Sequence, residues 1–94
     1  MRKFELGRVV MTRGVADEME EDDAFQEFCN EALKRYVKGD WGDLSKKDKM
    51  ANDKAVEIGE RLLAAYIYPK TQEKIWIITE WNRSATTLLF PHEY

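Results

Sequence analysis

The sequence predicts one small α+β domain: a mainly antiparallel sheet of about four strands with two helices on one face, in the order β-α-α-β-β-β. Three observations carry this expectation. Residues 25–37 hold an unbroken apolar stripe at helical spacing. The last third of the chain is a series of β-branched and aromatic runs divided by turn residues. The length, 94 residues, suits one domain spanning 1–94 and no second core.

Gly7-Arg-Val-Val-Met-Thr12 reads as a short strand, ended at Arg13-Gly14. The acid-rich stretch after it reads as a loop or a first helical turn. Phe25, Phe28, Cys29, Ala32, Leu33, Tyr36 and Val37 then recur at i, i+3, i+4, i+7, i+8, i+11 and i+12, which makes one helix face over about 23–38. Asp22 or Asp23 can cap its start, Lys34, Arg35 and Lys38 complement the negative end of its dipole, and Gly39 stops it. Gly39-Asp-Trp-Gly-Asp43 is a turn-rich connector. Ser45 stands three residues before Asp48, a capping-box spacing that opens a second helix over about 46–58. Its apolar stripe is Met50, Ala51, Ala55 and Ile58; Lys46, Lys47, Lys49, Asp53 and Glu57 form a solvated face, and Gly59 ends it. Residues 62–68 form a strand closed by Pro69. Residues 74–81 form the strongest strand, apolar on both faces and hence central. Asn82-Arg83-Ser84 turns the chain into a last strand, 86–90, ended by Pro91.

Composition narrows function. Charged residues make up 35% and the net charge is only −3, which argues against direct nucleic-acid binding by bulk charge. No apolar run approaches a membrane span, no hydrophobic leader follows Met1, and a lone cysteine permits no internal disulfide, so the expected setting is the cytoplasm. The single histidine, His92, and the single cysteine, Cys29, supply neither a zinc site nor an anchored catalytic triad. No glycine-rich phosphate loop is present. The chain therefore reads as a non-enzymatic binding protein without a cofactor or metal.

Three clusters are candidate sites. Residues 17–31 carry Asp17, Glu18, Glu20, Glu21, Asp22, Asp23, Glu27 and Glu31 with no basic residue. The six acids from Asp17 to Asp23 are either a solvated face or a surface that docks on a basic partner. Asp40, Trp41 and Asp43 lie between and beside two glycines; they bind a ligand or shape the turn. Glu80, Arg83, Ser84 and Thr86 surround the hairpin, where Arg83 holds an anion with hydroxyl help or the pairs stabilise the strands. If the second and third clusters converge, they define a small-ligand or anion pocket.

The segments Gly7–Val15 (GRVVMTRGV), Gly39–Asp43 (GDWGD), Ile75–Glu80 (IWIITE) and Arg83–Tyr94 (RSATTLLFPHEY), with Asn52-Asp53 and Gly59–Leu63 between them, resemble a family of short proteins. These are encoded by bacterial plasmids, integrative elements and phages. The resemblance runs along nearly the whole chain and implies a mobile-DNA context rather than a mechanism. By that resemblance, the expected role is an accessory protein that binds a host protein complex through its acidic surface, as counter-defence proteins of the anti-CRISPR or anti-restriction type do. The alternatives are the ligand-binding domain above and a small dimeric regulator. The chain is expected to be a monomer or homodimer.

Overall fold

The computed structural model describes residues 2–94. Strand β1 (Arg8–Met11) is followed by helices α1 (Arg13–Glu21), α2 (Asp23–Val37) and α3 (Lys46–Ile58), then strands β2 (Leu62–Ile67), β3 (Lys74–Thr79) and β4 (Ala85–Leu89), and a 3₁₀ turn at Pro91–Glu93. The α+β class and the four-stranded sheet are as expected. The sheet is mixed, however, with order β1-β4-β3-β2. β2, β3 and β4 pair antiparallel, whereas β1 lies parallel to β4, with Arg8 opposite Ala85 and Met11 opposite Leu88.

The helix count is the main correction to the sequence reading. The acid-rich stretch is a regular helix, α1, and not a loop. Thr12 caps it, its hydroxyl accepting from the Val15 amide, and Val15 is wholly buried, with Met19 one turn further on packing against the core. The chain then breaks at Asp22, whose extended backbone ends α1 and caps α2.

α2 carries the main packing surface. Phe25, Cys29, Ala32 and Tyr36 are buried, with Phe28, Leu33 and Val37 partly buried at the rim of the stripe. They meet one sheet face built from Leu62, Ala64 and Tyr66 on β2, Ile75 and Ile77 on β3, and Leu88 on β4. Burial pushes the Cys29 thiol up to about 12, so it is a small apolar filler and an unreactive one. α3 begins at the Ser45 cap and ends at Gly59 in the left-handed conformation, as its local signals indicate.

One polar chain runs through this core. Tyr36, Thr79 and Thr86 are fully buried. Thr86 Oγ1 donates its only proton to the Leu6 carbonyl at 2.7 Å. It therefore accepts from Thr79 at 2.7 Å, and Thr79 accepts from the Tyr36 hydroxyl at 2.6 Å. Every donor in the chain is used, and it ties α2, β3, β4 and the segment before β1 together.

The two sheet edges differ. The outer edge of β2 is covered by α3 and the connector, which bond Leu63, Ala65 and the Ile67 amide. Asn52 on α3 donates to the Leu63 carbonyl at 2.8 Å and accepts from the Leu63 amide at 3.3 Å. The Asp43 amide donates to the Ala65 carbonyl at 2.6 Å, the Trp41 carbonyl accepts from the Ala65 amide at 3.4 Å, and the Asp43 carboxylate accepts from the Ile67 amide at 3.0 Å. β1 forms the other edge and pairs only with β4.

Candidate functional site

The connector 39–43 is built into the fold. Trp41 is buried and donates from Nε1 to Asp53 Oδ1 at 2.9 Å, which gives that acid a structural partner and removes it from the purely solvated face. Asp40 receives two bonds from the Arg35 guanidinium, at 2.7 and 3.2 Å, and one from the Gly42 amide at 3.1 Å. Its carbonyl accepts from the Tyr66 hydroxyl at 2.6 Å. Asp43 caps the β2 edge as described.

The 80–87 hairpin is similarly committed. Arg83 adopts a left-handed backbone, φ 58°, at the turn. Its guanidinium donates to the carbonyls of Glu60 at 2.6 Å, Ala55 at 3.0 Å and Glu80 at 3.2 Å, so it closes the C-terminal end of α3. The Ser84 amide is bonded to the Asn82 side chain, and Thr86 belongs to the buried hydroxyl chain. Glu80 lies 3.9 Å from Arg61.

The two clusters do converge, but on a side chain rather than on a cavity. The Phe4 ring stacks on Trp41 at 5.9 Å and lies 5.8 Å from the Arg83 guanidinium, with Tyr36 edge-on at 5.2 Å. Phe4 occupies the space where a shared ligand pocket was expected. A lone aromatic between Lys3 and Glu5 has no periodicity to mark it as core, so the sequence reading missed it.

Acid titration should expose the connector's role. The Arg35 hydrogen bonds lead in holding the Asp40 carboxyl below its ordinary range, against a smaller opposing effect of burial. Its folded-state value lies below the unfolded one. The stabilisation is therefore complete above about pH 4 and is lost as pH falls through the lowered folded value. Asp40→Asn should lower the melting temperature at pH 7 and leave a smaller further drop on acidification to about pH 3. Parallel melting curves for the two proteins across that range would disprove the coupling.

The acidic cluster is different, because the fold uses only part of it. Asp22 accepts from the Ala24 amide and the Tyr68 hydroxyl, each at 3.0 Å, with Lys70 3.8 Å away. Burial works to raise its pKa, but these partners together outweigh it and hold the carboxyl below its usual range. Asp17 makes an exposed 3.8 Å pair with Arg13. Among the described residues, Glu18, Glu20, Glu21, Asp23 and Glu27 take part in no ion pair. Glu18, Glu20 and Glu21 stand at the C-terminal end of α1, whose own last turn carries no basic residue to offset the negative pole of its dipole. Asp23 is better placed, in the first turn of α2. Beneath the acids runs an open groove of about 360 Å³ lined by Met11, Ala16, Met19, Glu20, Asp23 and Gln26.

No protein-family model matches the chain, and no curated protein or solved structure matches it either. The site is therefore interpreted from its own residues. Among them, no three His, Cys, Asp or Glu side chains gather as a metal site would require. No helix among the described residues is long and apolar enough to cross a membrane. His92 stacks on Phe90 with ring centres 5.6 Å apart.

Proposed function

We propose that this chain is a non-enzymatic binding protein whose α1–α2 acidic surface docks on a basic surface of a partner protein. The observation that carries this reading is the placement of Glu18, Glu20 and Glu21. Among the described residues they take part in no ion pair, they stand at the C-terminal end of α1, and Glu20 lines a groove whose other walls are Met11, Ala16, Met19, Asp23 and Gln26. Their own helix gains nothing from three carboxylates at that end, although Glu21 also stands just ahead of α2 and its positive pole. A rigid helix also presents the acids in a fixed pattern, which a solvated loop does not. Fixed negative charge steers and orients a basic partner. The resemblance to proteins of plasmids, integrative elements and phages makes a host complex the proposed partner, with counter-defence of the anti-CRISPR or anti-restriction type as the proposed role. An acidic surface suits it by occupying a groove that otherwise receives phosphates. The small-ligand reading has less support, since Phe4 fills the space between its two clusters.

The triple change Glu18→Lys, Glu20→Lys and Glu21→Lys tests this. It should leave the melting temperature unchanged or slightly raised, because cations favour that helix end. It should abolish capture of the partner from a bacterial lysate, and capture by the unmodified protein should weaken between low salt and 0.5 M as exposed charges are screened. Recovery of the same proteins by both forms would reject the acidic surface as the docking site.

A further inference from the structure

The covered β2 edge makes the state of β1 conspicuous. The amides of Arg8 and Thr12 donate to the carbonyls of Ser84 and Leu88, each at 3.0 Å. Even-numbered positions of β1 thus face β4, and the amides and carbonyls of Val9 and Met11 point away from the sheet. Among the described residues no backbone bond reaches the outward amides and carbonyls of Val9 and Met11, and only the shortness of this four-residue strand and the charge of Arg8 guard the edge. Val9 is 41% exposed and Met11 42%. Their side chains lie on the helix side of the sheet, in register with the buried Thr86 and Leu88. There Met11 forms part of the groove below Glu20 and Asp23.

We propose that β1 takes up an extended segment of the partner as a fifth strand, and that this segment alternates Lys or Arg with small apolar residues. The proposal rests on the acidic docking reading and names the partner's form. Successive side chains of an added strand point to opposite faces. On the helix side, long basic side chains lay their stems over Met11 and Met19 and place their charged heads at Glu20 and Asp23. On the opposite side, the apolar positions meet Val10, which is half-buried. Main-chain bonds to Val9 and Met11 supply the adhesion, and the acids select the sequence. A second copy of this chain fits less well. Antiparallel pairing of two β1 strands about a two-fold axis puts both α1 helices on one side of the joined sheet, so that their acids face like charge.

The probe is a blocked octapeptide of alternating Lys and Val, titrated into isotope-labelled protein. Amide exchange at Val9 and Met11 should slow at least tenfold at saturation. Val9→Pro deletes an outward donor without touching the β1–β4 ladder, and it should weaken binding at least tenfold while leaving amide signals outside β1 unchanged. The double variant Glu20→Lys, Asp23→Lys should weaken binding to a similar degree. Shifts confined to α1 and α2, with unaltered exchange at Val9 and Met11, would overturn strand addition and leave acidic docking intact. Undiminished binding by the double Lys variant would overturn the placing of basic side chains at Glu20 and Asp23, and with it this proposal. Absence of binding at millimolar peptide would overturn strand addition alone, with the lysate experiment still deciding the acidic surface. Protection of Val9 that rises with protein concentration in the absence of peptide would identify a second copy as the occupant and overturn the proposal.

Discussion

Phe25→Ala is expected to lower the unfolding free energy by about 3–5 kcal/mol. Phe25 is wholly buried and touches three aromatic partners: Tyr68 at 5.3 Å, Phe90 at 5.9 Å and Phe28 at 6.1 Å between ring centres. Those rings come from α2, the end of β2 and the end of β4. A cavity there cannot be closed by one neighbour moving, so most of the lost contact remains lost. Domains of this size have only about 5–15 kcal/mol of stability in total, and each kcal/mol is worth about 4–8 °C. The melting temperature should fall by more than about 12 °C. Phe28 lies on the same stripe but is only partly buried, so Phe28→Ala should cost visibly less. Equal losses for the two variants, or a drop of a few degrees for Phe25→Ala, would show that α2 does not seat its face as described.

Gly42→Ala should be comparably damaging, for a different reason. Gly42 has φ +76°, and a Cβ built there falls 2.1 Å from the Ala65 carbonyl oxygen and 2.6 Å from the Tyr66 ring. The first of those neighbours is backbone in a sheet and cannot turn aside. The connector must lift off β2, which removes the Asp43 amide bond to Ala65 and the carboxylate cap on Ile67. Gly59 supplies the control. Its φ is similar, +75°, but nothing lies within 4 Å of its Cβ position. Gly59→Ala should therefore cost only the conformational penalty of about 1–2 kcal/mol. In Gly42→Ala, amide exchange should accelerate at Ala65 and Ile67 ahead of the rest of the sheet. If both variants lose the same stability, the close approach of the connector to β2 is not what holds it there.

The elements that were legible in the sequence are those whose signals are local. α3 runs from Lys46 to Ile58 because Ser45 and Gly59 stand at its two ends, and α2 is specified by one uninterrupted stripe. α1 was not legible. It has one fully buried residue, Val15, a glycine in its first turn and a surface of acids, so periodicity alone resembles a polar loop. Its Thr12 cap gains force only once Val15 and Met19 have a core to meet. The parallel pairing of β1 with β4 was also beyond local reading, because strand neighbours are chosen by packing between distant segments. The candidate residues show the same division. The acids were found as charges but without the helix that orders them. Asp40, Trp41 and Asp43 were found as a polar and aromatic cluster, yet their partners are the edge of β2, Arg35, Tyr66 and Asp53, none of which spacing could supply.

The parallel β1–β4 pairing also sets the cost of closing the sheet. β2, β3 and β4 are successive hairpins, and α2 and α3 form from neighbouring residues, so the contacts within these parts close short loops. β1 is made first and yet has no strand to join until β4 exists. Throughout that interval Val9, Val10 and Met11 wait without a ladder, and the Leu6 carbonyl lacks its Thr86 donor. Closing the β1–β4 ladder therefore costs more chain entropy than closing either hairpin.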